Sequence, residues 1–227
     1  QRQGQTDEER FQFMMDFFNY FTQMTADRRA NPGDDVASII ANAIIDGKPI
    51  GDMEALGYYV IIATAGHDTT SSSTAGGLLA LMQHPEQMNK LRNDPSLLPQ
   101  AIEEMFRWAT PVKHFLRTAT EDYTLRGKSI KAGDRLMMMY ASGNRDEEVF
   151  DNPFEFQIDR RPNKQIAFGF GVHRCLGHLL AKMEMQAFFK ALLARTSDIE
   201  LNGDPAWIHA TFVSGLKRLP IRFTSSA

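Results

Sequence analysis

Apolar residues recur at helical spacing in several long stretches of this chain. Phe11, Met14, Phe17, Phe18, Phe21 and Met24 fall on one side of a segment whose other side carries Asp16, Asn19 and Gln23, which predicts a surface helix with a heavy apolar stripe. We read the stripe as core packing. Asn31-Pro32-Gly33-Asp34-Asp35 has turn chemistry and caps a short helix over about 36–45, which Asp46-Gly47-Lys48-Pro49 ends. Asp52 can cap a long helix that reaches about His84, just before Pro85. A further helix over about 97–108 stops ahead of Pro111.

From Tyr123 to Tyr140 the pattern shortens to strands broken by Arg126-Gly127-Lys128 and Ala132-Gly133-Asp134, as in a small antiparallel sheet. An irregular stretch from Asn144 to Asn163 follows. Leu179, Leu180, Met183, Met185, Phe188, Phe189, Leu192 and Leu193 then mark a last long helix, with short strands expected at 200–201, 209–213 and 219–223. Without internal repeats, these elements describe a mainly helical α+β chain.

Composition narrows the partners. The 227 residues are 43% hydrophobic and 23% charged, an ordinary globular balance with room for one or two domains. A net charge of −3 with scattered basic residues argues against nucleic acid. The longest apolar run, Ala55 to Ala65, falls short of the roughly twenty residues that span a bilayer, and residues 1–10 lack the features of a signal peptide, so no membrane is expected. One cysteine excludes an internal disulfide and fits a reducing, cytoplasmic setting.

That cysteine carries the chemistry. Cys175 lies in Phe168-Gly169-Phe170-Gly171-Val172-His173-Arg174-Cys175-Leu176-Gly177, which runs straight into the last helix and places the sulfur at or just before its first turn. Unpaired N–H groups and the positive end of the helix dipole favour a thiolate there. Gly171 and Gly177, lacking Cβ, let the loop fold sharply and leave room for something large and flat against the backbone. A lone cysteine is by itself a small buried hydrophobe. Set in the whole ten-residue pattern it reads as a thiolate metal ligand, and haem fits that description.

Phe-x-x-Gly-x-x-x-Cys-x-Gly, here Phe168, Gly171, Cys175 and Gly177, closely resembles the haem-ligand signature of the cytochrome P-450 monooxygenases. The resemblance implies haem b with Cys175 as axial ligand, dioxygen as co-substrate, and a mostly helical prism with a small β-rich region. Ala65-Gly66-His67-Asp68-Thr69-Thr70 sits inside the long helix, where Gly costs about 1 kcal/mol against Ala and Thr hydroxyls can bond back to the preceding turn. Such a segment is weakened and leaves space beside it. It resembles the family's oxygen-activation motif through Ala65, Gly66, Asp68 and Thr69. On that likeness Thr69 holds dioxygen and its water, while Asp68 links the site to bulk protons. His67 lies outside the pattern and is read as structural.

Glu104 and Arg107, three apart, share one helical face and can pair; most such pairs are surface decoration. Here they resemble the family's Glu-x-x-Arg, joined by an arginine from Asp159-Arg160-Arg161, for which Arg160 is preferred to Arg161. The resemblance gives these three the structural task of holding the haem-binding loop. It makes His173 and Arg117 partners of the haem propionates. It places Val112, Lys113, Phe115, Phe212 and Val213 around the substrate, with Lys113 the one ionic exception.

Asn144-Arg145-Asp146-Glu147-Glu148-Val149-Phe150, Pro162-Asn163 and Leu219-Pro220-Ile221-Arg222-Phe223-Thr224 look most like the soluble bacterial terpineol-hydroxylating branch. That likeness implies hydroxylation of a small apolar molecule, a monoterpenoid or an aromatic hydrocarbon, with electrons from a ferredoxin-type iron–sulfur donor and its reductase. Family members are about twice this length, so residues 1–227 read as the C-terminal portion of one catalytic domain whose N-terminal half is absent. Two alternatives stay open: a haem-thiolate peroxygenase, and a non-catalytic haem-binding fragment or gas sensor. Neither needs the Asp68–Thr69 relay in this form.

Overall fold

Thr6 starts the first helix with a capping box: the Glu9 N–H donates to Thr6 Oγ1 (3.2 Å) and the Thr6 N–H to Glu9 Oε2 (2.7 Å). The computed structural model describes residues 6–225. The chain divides into two compact units, residues 1–67 and 68–227.

In the first unit, helix α1 (Asp7–Ala30) is followed by α2 (Val36–Ala41), whose cap is Asp35 accepting from the Ser38 N–H at 2.7 Å. α2 is shorter than its sequence suggests. Ile44–Ile45 (β1) pairs instead with Lys48–Pro49 (β2), and Asp46-Gly47 between them have φ of 50° and 75°. Two successive positive φ values make a tight hairpin turn, so Asp-Gly joins strands here rather than ending a helix. Helix α3 (Asp52–Gln83) begins in this unit and continues into the second. Asp52 is its first residue rather than its cap, and its carboxylate takes Arg29 at 2.6 Å. The apolar stripe of α1 is buried only towards its C-terminal end. Phe21 stacks on Tyr59 (centroids 5.3 Å, interplanar 7°) within a core that includes Ile40, Ile50 and Ala55, whereas Phe11 and Met14 are exposed.

The second unit contains α4 (Pro85–Asn93), a 3-10 turn at Pro95–Leu97, and α5 (Leu98–Ala109). α4 starts at the proline that sequence reading took as a stop, because proline at the first helical position loses no hydrogen bond. Strands β3 (His114–Thr118), β4 (Tyr123–Leu125), β5 (Lys128–Ile130) and β6 (Arg135–Met139) lead into a short helix, α6 (Tyr140–Gly143). Irregular chain then reaches a 3-10 turn at Gly171–His173 and helix α7 (His178–Arg195). β7 (Thr196–Leu201), β8 (Ala206–Trp207), β9 (Leu216–Arg218) and β10 (Ile221–Ser225) close the chain.

The expected small sheet is a set of separate antiparallel pairs: β3 with β6, β4 with β5, β7 with β10 and β8 with β9. Strand β3, with His114 opposite Met139, was not foreseen. Residues 209–213 do not form the strand expected of them; only Val213 pairs, as an isolated bridge to Val112. The core joins α3, α4, α5 and α7 through Leu81, Leu91, Ile102, Met105, Met185 and Phe189, all fully buried. A Cβ on Gly77 would lie 2.7 Å from Met105 Cγ, so glycine lets α3 and α5 approach closely. Arg92 of α4 donates to the carbonyls of Leu193 (3.1 Å) and Thr196 (2.7 Å), satisfying the end of α7.

Candidate functional site

The loop ahead of α7 is folded by its own hydrogen bonds. The Cys175 N–H donates to the Phe168 carbonyl at 2.8 Å, and the Gly169 N–H to the Ile166 carbonyl at 2.9 Å. Gly169 and Gly171 take φ of 71° and 67°, the left-handed region that a side chain resists. Gly177 does not share that role. It lies at φ −85°, and a Cβ there would meet nothing within 4 Å, so it leaves space rather than making a turn. Helix α7 starts three residues beyond the cysteine, and the Cys175 carbonyl accepts from His178. Sequence reading credited Gly171 but passed over Gly169; the doubled Phe-Gly of Phe168 to Gly171 was the available signal.

Cys175 is exposed. Around it Phe170 (85% exposed), Val172 (98%) and Leu176 (90%) form a platform of bare apolar side chains, continued on α7 by Leu179 and Met183. Among the described residues no group of three or more His, Cys, Asp or Glu could hold a metal ion. A metal bound here by one protein thiolate would take its remaining ligands from outside this set of side chains. The exposed thiol, the apolar platform and the open space at Gly177 therefore fit haem. His173 lies exposed in the same loop, at the end of its 3-10 turn. Arg117 on β3 donates to the Leu116 carbonyl (2.9 Å) and forms an ion pair with no carboxylate among the described residues.

Behind the loop, Glu104 and Arg107 are fully buried and form a two-pronged pair, both contacts at 2.7 Å. Arg160 joins from the irregular segment at 3.2 Å, Asn163 Nδ2 donates to the same carboxylate at 3.1 Å, and the Gln157 N–H at 3.0 Å. Arg161 stays exposed. Arg107 also donates to the carbonyls of Asn144, Pro153 and Glu155. Arg145 lies over the Trp108 ring (4.4 Å) and donates to the last carbonyls of α5; burial and the neighbouring Arg107 lower its pKa to about 10. Beside this network a cleft of about 910 Å³ is lined in part by Arg161, Lys164, Arg174 and Lys182, with Glu103 as the opposing carboxylate.

The structure brings Val112, Phe115, Phe212 and Val213 together. Val112 bridges Val213, the rings of Phe115 and Phe212 meet edge to face at 5.2 Å, and the Lys113 N–H donates to the Phe212 carbonyl at 2.8 Å. The Lys113 ammonium turns away from this group to the Ala109 carbonyl (2.9 Å), and burial with the nearby Arg145 lowers its pKa. Gly215 presses on α3 at Ser72, where a Cβ would come within 2.1 Å of Oγ. Thr69 and Asp68 precede that contact on α3, Thr69 partly buried and Asp68 exposed. The helix is unbroken through Ala65, Gly66 and Thr69; hydroxyls of Ser73 and Thr74 bond back to the carbonyls of Thr69 and Thr70.

A family model described as "Cytochrome P450" matches residues 3–197. Cytochrome P450-terp from Pseudomonas sp is 51% identical over 210 residues, 92% of this chain and 49% of that protein. A steroid C26-monooxygenase from Mycolicibacterium smegmatis is 41% identical over 97% of this chain and 57% of its own length. Among solved structures, CYP108D1 from Novosphingobium aromaticivorans superposes with a TM-score of 0.88 at 46% identity, over 94% of this chain and 52% of that one. The chain spans about half the length of the curated relatives it matches.

Proposed function

This chain belongs to the cytochrome P450 family, and from that premise we propose that its protein is a haem-thiolate monooxygenase that hydroxylates a small apolar substrate, a monoterpenoid or aromatic hydrocarbon. The observation that carries the reading is the single exposed thiol, Cys175, at the end of a hydrogen-bonded loop on a bare apolar platform. Cys175 would hold haem b through its sulfur, with His173 and Arg117 offering donors to the propionates. What thiolate-bound haem supplies is dioxygen activation, since donation from sulfur favours cleavage of the O–O bond.

The reaction takes one substrate C–H bond, one dioxygen, two electrons and two protons, and returns the C–OH product and one water. Thr69 Oγ1, partly buried, would offer a hydroxyl proton on this helix, and the exposed Asp68 carboxylate would exchange protons with solvent. Ala65 and Gly66 supply the small, lightly packed turn before them. Val112, Phe115, Phe212 and Val213 offer burial and few hydrogen bonds, which suits a hydrocarbon at about 25 cal/mol per Å² of area removed from water. Holding the Lys113 ammonium on α5 keeps that wall apolar. Arg161, Lys164 and Arg174 suit an acidic donor of ferredoxin type, working with its reductase, while Lys182 is already paired with Glu103. The single cysteine supports a cytoplasmic setting, and no helix among the described residues is long and apolar enough to cross a membrane.

The test is a carbon monoxide difference spectrum of the reduced, haem-loaded whole protein. It should show the thiolate-type band, and Cys175→Ala should abolish it while leaving the protein folded. A wild type without that band, or a Cys175→Ala variant that keeps it, overturns the proposal.

A further inference from the structure

Asn144 is fully buried and uses both ends of its carboxamide. Its Oδ1 accepts the Ile166 backbone N–H at 2.8 Å, and its Nδ2 donates to Thr110 Oγ1 at 2.8 Å. The backbone donor at Ile166 fixes which end of the amide is oxygen, and Thr110 spends its own proton on the Arg107 carbonyl at 2.7 Å, so the assignment is self-consistent. Meanwhile the Asn144 carbonyl accepts from Arg107 at 2.8 Å. One side chain thus ties the buried carboxylate–arginine network to the chain just ahead of the cysteine loop.

A second set of contacts converges on the same segment. Gly143 lies so close to Ile166 that a Cβ would come 2.7 Å from its Cδ1, and the Tyr140 hydroxyl would be 3.4 Å from a Cβ on Gly169. α6 and Asn144 therefore form a seat for Ile166 to Gly169. From that segment two further bonds lead on: Gly169 N–H to the Ile166 carbonyl, and Cys175 N–H to the Phe168 carbonyl.

We propose that Asn144 is a positioning residue for Cys175: its bond to the Ile166 N–H sets the height and direction of the loop that presents the sulfur. Position matters here because groups behind a metal ligand fix its direction, and a ligand whose support is lost binds more weakly. This purpose rests on Cys175 being the iron ligand. The loop-setting role itself can be measured without it.

Amide hydrogen exchange is compared in wild type, Asn144→Ala and Asn144→Asp. The aspartate keeps an acceptor for Ile166, and the Thr110 hydroxyl can turn its proton from the Arg107 carbonyl, which retains Arg145 as donor, to the second carboxylate oxygen. In Asn144→Ala the amides of Ile166 and Cys175 should exchange about tenfold faster, the factor expected from losing one ordinary hydrogen bond. Amides of α7 and of β7 with β10 should keep wild-type protection, and Asn144→Asp should restore the loop. In the haem-loaded protein the carbon monoxide spectrum should shift partly to the thiol type in Asn144→Ala and return in Asn144→Asp.

Unchanged exchange at Ile166 and Cys175, protection lost evenly across the second unit, or no rescue by aspartate would each overturn the proposal. Should Asn144→Ala not fold, Asn144→Ser decides, because its shorter side chain keeps a polar group but loses the atoms that reach Ile166; unchanged exchange at Ile166 and Cys175 then overturns it too. A wild type lacking the thiolate band removes Cys175 as ligand, while the exchange arm still decides whether Asn144 sets the loop.

Discussion

Two arginine–glutamate pairs in the second unit have the same two-pronged shape and different meanings. Arg107 and Glu104 meet at 2.7 Å on both prongs with neither side chain exposed. Arg126 and Glu148 meet at 2.9 and 2.5 Å with side chains 74% and 64% exposed. The first pair sits among other donors and carbonyls, so every charge that left water found a replacement for it. The second joins the turn between β4 and β5 to the chain after α6, and water competes for both partners. Geometry is therefore a poor guide to strength; what decides is what surrounds the pair.

The largest effect should come from breaking the buried pair. Arg107→Met keeps bulk but leaves Glu104 with Arg160 as its one cation, beside the donors of Asn163 and Gln157, and takes a donor from the carbonyls of Asn144, Pro153 and Glu155. Breaking one partner out of a buried network of this kind, with its two charge-assisted bonds and its donors to three carbonyls, costs about 3–5 kcal/mol. Urea unfolding should show a loss of that order, or no folded second unit at all. A loss below about 1 kcal/mol would show that the pair is as replaceable as a surface one.

That contrast was half legible in the sequence. The three-residue spacing put Glu104 and Arg107 on one helical face, but spacing alone reads equally as decoration, and their burial follows from packing by chain 37 to 48 residues beyond Arg107, at Asn144, Pro153 and Glu155. Arg160 was chosen through family likeness alone. Its contact with Glu104 spans 56 residues, beyond any local period. Asn144 was invisible as a linchpin for the same reason: its partners Thr110 and Ile166 lie 34 and 22 residues off in the sequence. Helices α1 and α7 were read from apolar residues at helical spacing, and α3 and α5 from the residues that bound them, Asp52 with Pro85 and Pro111. α4 offers only Met88 and Leu91 as buried apolar positions, too few to show a period, and Asp46-Gly47 was misjudged because the same dipeptide serves helix ends and hairpins.

Arg145 provides the intermediate case that sharpens the comparison. It is half-buried beside the Glu104 network and donates to the carbonyls of Arg107 and Trp108, yet its pKa falls to about 10 because burial and Arg107 both disfavour its charge. Arg145→Met should lose those bonds and the contact with the Trp108 face while relieving like-charge repulsion. The net cost should be about 1 kcal/mol, well short of Arg107→Met. Thermal unfolding of both variants at one pH measures the order, and an Arg145→Met loss equal to that of Arg107→Met would mean that burial of the cation, not its pairing, sets the scale.

The smallest effect belongs to the exposed pair, and pH isolates it. Hydrogen bonding to Arg126, then its charge, holds the Glu148 carboxyl below its ordinary 4.5. The folded state therefore binds that proton less readily than the unfolded state does. Any stability from the pair is present above the unfolded value and is lost as pH falls through the lowered folded one. Arg126→Gln should melt within error of wild type at neutral pH and physiological salt, where screening is strong. At low salt a small deficit should emerge near pH 7 and vanish as the pH is taken below the folded value, since wild type then loses the same interaction. A deficit that persists unchanged into acid would show that Arg126 supports the hairpin through packing of its stem, and the two pairs would then differ in kind as well as in surroundings.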